Sequence, residues 1–261
     1  MSQEFVRQIS KGSRYNQIYI PREMNELFEP GSFVKVTLLK KNTLYYSKNL
    51  PHVGEFKENL IKKVFQTLGG LREIKQTFVV GSFLTKNTDY GDVDLLIVCN
   101  KKISEDKISS ILADKIGINF HIFAVSDLNF EKLMEMDPLT RSMLYSFASN
   151  KPFSISKTIT FDKNHINFLL MMPQDLLKIS ASSRVFYDSL RRLLSIQRFL
   201  ENKSLNSLEI EQELKTLLKN LFSLAKNNEP LPPKLVNEIR KIIKLKLGII
   251  NNLIVKWERK E

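Results

Sequence analysis

The run from Phe78 to Val98, FVVGSFLTKNTDYGDVDLLIV, constrains this chain more than any other stretch. It reads as an apolar strand, a break at Gly81-Ser82, a short polar excursion, and a second strand carrying Asp92 and Asp94. Nine residues lie between Ser82 and Asp92. Two residues apart on a strand, the aspartates share one face, while Val93, Leu95 and Ile97 take the other. Like charges that close repel, and leaving them unpaired on an apolar strand is costly. A divalent cation removes the conflict, so the strand predicts a metal site on Asp92 and Asp94.

The surrounding pattern alternates helices and strands. Gly54–Leu68 predicts an amphipathic helix, with apolar residues at helical spacing and Gly69-Gly70 at its end. Thr77–Val80 and Asp92–Val98 are the first two core strands. Ile103–Ile116 is a helix, Ile118–Val125 the third strand, and Leu128–Met136 a helix. Asp137-Pro138 starts another helix, followed by a short extended segment. From Phe161 on the pattern is helical, with apolar stripes over Asp175–Leu200, Ser207–Ala225 and the segment after Pro233. Those stripes predict a helical bundle.

Helix, strand, Gly-Ser, Asp-x-Asp strand, helix, strand resembles the DNA polymerase beta-like nucleotidyltransferase superfamily, in its minimal form. The motif that carries the resemblance stands here as Val80-Gly81-Ser82 and, nine residues on, Asp92-Val93-Asp94. The resemblance spans residues 55–150. It implies an α/β (α+β) nucleotidyltransferase core with a short mixed sheet. It also implies Mg²⁺ (or Mn²⁺) on Asp92 and Asp94, and a nucleoside triphosphate held through Gly81 and Ser82. Lys86, in the intervening loop, is either a further phosphate-neutralising group or a solvated loop lysine. The activity implied is transfer of a nucleoside monophosphate to a hydroxyl acceptor with release of pyrophosphate.

The physical logic agrees with the motif. Gly81 allows a sharp turn and close approach to a ligand. Ser82 and the amides after it offer donors to phosphate oxygens. The family's third carboxylate falls, by matching Ile118-Asn119-Phe120-His121-Ile122 to its usual Ile-Asp-Leu-His-Ile setting, on Asn119. Asparagine offers a neutral oxygen, no charge and no base. On that resemblance a nucleotide-bound metal would survive on Asp92 and Asp94, and the metal serving the transfer step would be weakened. Asn119, His121 and Phe123 share a face, so His121 is either a substitute ligand or base, or a structural hydrogen-bond partner.

Residues 1–50 carry a separate pattern. An alternating Gln17–Ile20 runs into Pro21, a short helical turn follows, and Pro30-Gly31 precedes a strand over Ser32–Leu39. This resembles the AbrB-like swapped-hairpin module. The resemblance implies a homodimer through residues 1–48, with possible DNA binding. So small a unit cannot bury a core alone. The alternative is a plain hairpin appended to the next domain. The expected organisation is a small β module at 1–50, the core at 51–155, and an all-α helical domain at 156–261.

Composition bounds the rest. The formal charge of +12 over 261 residues favours an acidic partner (nucleic acid, nucleotide phosphates or anionic lipid) over simple lysine-borne solubility. Arg184, Arg191 and Arg198 recur every seven residues beside Arg192 as one basic face, or as a solvated bundle face. One cysteine, Cys99, excludes a disulfide framework and fits a reducing cytoplasm. No signal peptide is expected, and no apolar run approaches the roughly 18–20 residues of a membrane span. His52 and His165 have no ligand partner by sequence and read as structural. The competing functional readings are a DNA-binding regulator whose transferase core is a degenerate nucleotide sensor, and a toxin–antitoxin-type protein.

Overall fold

The computed structural model describes residues 5 and 7 and residues 9–37, 43–50, 52–85, 91–156 and 158–259. Contacts divide the chain into two compact units, Met1–Lys41 and Asn42–Glu261.

In the first unit, β1 (Ser10–Lys11) pairs antiparallel with β2 (Asn16–Gln17) around a turn in which Gly12 N–H donates to the Tyr15 carbonyl. Pro21 then opens a 3₁₀ turn over Arg22–Met24, as the Pro-led short helix predicts. The Pro30-Gly31 turn forms too: Gly31 sits at φ 96° and Ser32 N–H donates to the Glu29 carbonyl. The strand is expected over Ser32–Leu39; residues 32–37 have no ladder partner among the described residues, and Leu38 and Leu39 lie outside them. Phe33, Val34 and Val36 are exposed, so among the described residues no apolar face secures a strand there.

The second unit begins with a sheet whose order is β3 (Tyr45–Tyr46), β7 (Ala148–Ser149), β4 (Ile74–Val80), β5 (Val93–Cys99), β6 (Phe120–Ser126). It is mixed: β5 and β6 run parallel and the other pairs antiparallel. A parallel pair needs a crossover, and the helix α2 (Glu105–Ile116) supplies it. Ser104 caps α2 by accepting from Lys107 N–H, and Gly117 ends it in the left-handed conformation at φ 78°.

Both faces of the sheet are covered. Val79, Val93, Leu95 and Ile97 pack with Ile61, Val64, Phe65 and Leu68 of α1 (Glu55–Leu68) and with Ile108 and Leu112 of α2. Phe78, Val80, Leu96 and Val98 pack on the opposite face with Phe130 and Met134 of α3 (Asp127–Met136), and with Leu144 and Phe147 beyond α4 (Pro138–Met143). Four phenylalanines, Phe78, Phe130, Phe147 and Phe153, meet there with centroids 4.9–5.7 Å apart. Burial on both sides makes β5 a continuous apolar run, interrupted only where a carboxylate stands.

The C-terminal part is helical: α5 (Lys163–Asp175), α6 (Ser183–Leu200), α7 (Ser207–Leu218), α8 (Leu221–Lys226) and α9 (Pro233–Glu258). The single helices expected over Asp175–Leu200 and Ser207–Ala225 are each divided. Leu176 closes α5 and Ser182 opens α6, with Arg240 of α9 donating to the carbonyls of Leu176 and Ile179 in the gap. Lys219, at φ 48°, separates α7 from α8. The long α6 is the centre of the bundle: Phe186, Leu190, Leu193, Leu194 and Phe199 are buried against Ile166, Leu170, Ile210, Leu214, Ile239, Ile243 and Ile250. Arg141 of α4 joins the sheet region to the bundle lead-in. Its guanidinium donates to the carbonyls of Met134, Ser156 and Thr158. No helix among the described residues is long and apolar enough to cross a membrane.

Candidate metal and phosphate site

The site is built where β4 ends, β5 begins and β6 runs alongside. Val80 pairs with Asp94 across the antiparallel pair, and Asp94 pairs with His121 across the parallel one. Three adjacent strands therefore present Val80, Asp94 and His121 in one row, with Gly81 just past the end of β4. Val93 N–H donates to the Asn119 carbonyl at 3.1 Å, which fixes the head of β6 against the head of β5.

Gly81 is required twice over. Its backbone stands at φ 78°, ψ −158°, a region open to glycine and costly for other residues. A Cβ there would also lie 2.1 Å from Asp94 Oδ2, so the carboxylate occupies the space of the missing side chain. The chain then folds into a 3₁₀ turn over Ser82–Leu84, with Phe83 and Leu84 buried and Ser82 exposed at its head. Lys57 of α1 steadies the turn: its ammonium donates to the Thr85 carbonyl at 2.8 Å and lies 5.3 Å from the Phe83 ring centroid. By residue type alone Lys57 looks like any surface lysine of an amphipathic helix, and nothing in its spacing singles it out.

Asp92, Asp94 and His121 each bring a ligand atom within 4.8 Å of the others. His121 Nδ1 is 3.2 Å from Asp94 Oδ1, and its ring rests on Phe123 with centroids 4.3 Å apart. Asp94 is the most enclosed of the three. Burial, reinforced by the charge of Asp92, raises its carboxyl above the ordinary aspartate range; contact with His121 and the charges of His121 and Arg191 oppose that rise. A carboxylate held uncomfortably in this way gains from a cation.

Asn119, the position aligned to a third carboxylate, is exposed just before β6. It shares the face but not the register: the residue paired with Asp94 is His121. Parity alone could not separate two positions two residues apart on a strand. Lys86 lies outside the described residues.

The arginines of α6 divide sharply. Arg198 is buried, ion-paired to Glu209 and Glu213 of α7 and bonded to the Ser204 carbonyl. Arg184 pairs with Asp188 and covers the Tyr187 ring. Arg192 donates to the Leu169 carbonyl. The exposed guanidinium of Arg191 has no hydrogen bond or ion pair among the described residues, and its charge is felt at Asp94. His165 is not isolated: its Nε2 lies 3.3 Å from Oδ1 of Asp137, the buried cap of α4, though out of line for a good hydrogen bond.

The described residues thus form a mixed α/β fold with a carboxylate–imidazole cluster at the head of its parallel strand pair. A scan against protein-family models matches none, and a search of curated proteins finds no match.

Proposed function

We propose that the second unit is a nucleotidyltransferase of the polymerase beta-like kind. It would bind a nucleoside triphosphate with a divalent cation and move the nucleoside monophosphate to a hydroxyl acceptor. The observation that carries this reading is the packing of Asp94 against Gly81. It sets the Gly-Ser turn against the Asp-x-Asp strand, two halves of one sequence motif, beside the cluster of Asp92, Asp94 and His121.

Each residue has a part in that reaction. Asp92 and Asp94 would hold the cation, with His121 beside them. When bound, the cation neutralises phosphate charge and stabilises the leaving pyrophosphate. Ser82 and the amides of its turn would donate to phosphate oxygens, and Arg191 would add positive charge from the helical side. In the transfer the acceptor oxygen bonds to the α-phosphorus, the bond from that phosphorus to the bridging oxygen breaks, and pyrophosphate carries away the electron pair. Asn119 is no base, so the acceptor's proton goes to solvent. Transfer should be slow relative to binding for that reason.

The test is label transfer from α-labelled nucleoside triphosphates with Mg²⁺ or Mn²⁺ and total RNA or protein as acceptor. An Asp92→Asn/Asp94→Asn double variant should lose several kcal/mol of transition-state stabilisation, about 10³-fold or more in rate. Labelling that persists undiminished in that variant would refute the assignment. A second reading, a nucleotide sensor with a degenerate core, is favoured by the uncharged Asn119. Nucleotide binding without transfer, with transfer restored by Asn119→Asp, would select it.

For the first unit we propose pairing with a second copy of the chain. Tyr15, Tyr19, Leu27, Phe33 and Val36 are more than half exposed, and residues 32–37 have no strand partner within the described residues. Solution mass is the check. A monomeric mass, unchanged on deleting residues 1–48, would exclude pairing through this unit.

A further inference from the structure

We infer that the cation site is a single-ion, histidine-ligated site that selects a transition-metal ion of the Mn²⁺ or Co²⁺ type over Mg²⁺. The inference rests on the nucleotide-site reading above and replaces its magnesium expectation.

The geometry comes first. Asp94 Oδ1 and His121 Nδ1 stand 3.2 Å apart. Two adjacent ligands of a six-coordinate ion with bonds of about 2.1 Å are separated by about 3.0 Å. The two atoms make a direct polar contact at that spacing, and an ion would replace the contact without moving either strand. Asp92 completes the set within 4.8 Å, and as an exposed residue immediately before β5 it has rotamer freedom to close the remaining distance. The imidazole is oriented in advance. Its strand is locked in register with β5, and its ring is packed on Phe123. Because β6 is the outer strand of the sheet, solvent and phosphate reach the ion from that side.

Donor chemistry then decides the ion. Mg²⁺ takes oxygen ligands in a near-ideal octahedron and gives up water reluctantly, so a fixed imidazole is a poor donor to it. Imidazole nitrogen suits first-row transition ions, and at a mixed nitrogen–oxygen site their affinity rises from Mn²⁺ to Co²⁺. Charge decides the number. Two carboxylates balance one divalent ion. A third carboxylate would leave surplus negative charge for a second, but the strand offers Asn119 and His121 instead. With Asn119 at the carboxylate position, the imidazole paired with Asp94 becomes the third donor, and it sets a metal preference as well as leaving less negative charge.

The experiment titrates metal-free protein with Mn²⁺, Co²⁺ and Mg²⁺ by calorimetry, without nucleotide, beside His121→Asp and His121→Gln. Both variants alter an exposed side chain, and their melting temperatures report folding. Wild type should bind one Mn²⁺ per chain and show ¹⁴N coupling to the bound Mn²⁺ in pulsed electron paramagnetic resonance. The Mn²⁺/Mg²⁺ affinity ratio should fall by about tenfold or more in His121→Asp, with the ¹⁴N signal gone in both variants. An unchanged ratio, or no ¹⁴N coupling in wild type, overturns the metal assignment and leaves the nucleotide reading standing. Failure of every ion to bind, with or without ATP, overturns both.

Discussion

Replacing Gly81 by alanine tests the join between the turn and the aspartate strand. Two costs add. The backbone at φ 78°, ψ −158° costs a non-glycine residue about 1–3 kcal/mol. The new methyl carbon would also meet Asp94 Oδ2 at 2.1 Å, so the carboxylate must turn away and give up its contact with His121. Trimming Asp94 to alanine removes the oxygens and leaves its Cβ at 3.3 Å, which a shift of a few tenths of an ångström relieves. We therefore expect Gly81→Ala to cost about 3 kcal/mol in the wild-type background and about 1–2 kcal/mol beside Asp94→Ala, a coupling of about 1–2 kcal/mol for contacting residues. At about 2–4 °C per kcal/mol for a unit this size, the first loss is about 6–12 °C in Tm. Thermal and urea melts of the four proteins give the cycle, and Mn²⁺ titration reports the ion site in parallel. Equal losses in both backgrounds would refute the reasoning. The glycine would then serve the backbone alone, and Asp94 would not be seated against it.

Asp94→Asn should leave the metal-free protein as stable as wild type or more so at neutral pH, because the native state raises this carboxyl's pKa. The penalty is absent below the unfolded value near 3.8, grows as pH rises through the raised folded value, and is full above it; a stability–pH series of both proteins measures the gap. His165 and Asp137 give the opposite signature. Contact with Asp137 raises His165 above 6.5, so its stabilisation is present below that pH and lost as pH rises through the folded value. Asp137 is depressed below 3.8 despite burial, by contact with His165 and Thr140 and by the Leu139 and Thr140 amides. Its contribution is present above that pH and lost as pH falls through the folded value. The deficit of His165→Gln should accordingly be larger at pH 5.5 than at pH 8.5 in urea melts. Arg198→Ala should cost about 1–3 kcal/mol, tempered because Glu209 and Glu213 can return to solvent, whereas Arg191→Ala should stay within about 0.5 kcal/mol and instead weaken nucleotide binding. Denaturant melts and a nucleotide titration separate the two arginines.

What could be read from residues alone follows the range of the forces involved. Gly81, Ser82, Asp92 and Asp94 were legible because a turn and a strand are local, and their chemistry is written in a contiguous run. The helix start at Asp137-Pro138 was legible for the same reason, whereas the Ser104 cap lies inside the helix expected from Ile103. β3 and β7 were not, since two residues carry no periodicity. His121 was on the correct face but lost to Asn119, because a face is a matter of parity and a register is set by the neighbouring strand. The seven-residue arginine spacing suggested one stripe. A helix drifts by about 20° per heptad, and by Arg198 the stripe has turned toward Glu209 and Glu213 of α7. The division of the bundle helices near Leu176 and Lys219 depends on partners such as Arg240, distant in sequence.

The parallel pairing of β5 with β6 has a consequence for how this site tolerates change in chain length. Asp94 and His121 meet only because the connection through α2 delivers β6 at one phase of its alternation. Deleting one residue from the segment 117–119 would offer Ile122 to Asp94, and inserting one would offer Phe120. Either would turn the imidazole toward α1 and α2 and strand an apolar side chain beside the carboxylates. The same slip would expel Ile122 from a face where it is buried. Core and site therefore impose the same phase on β6, and length variation should be confined to the far side of Ser104 or beyond Ser126.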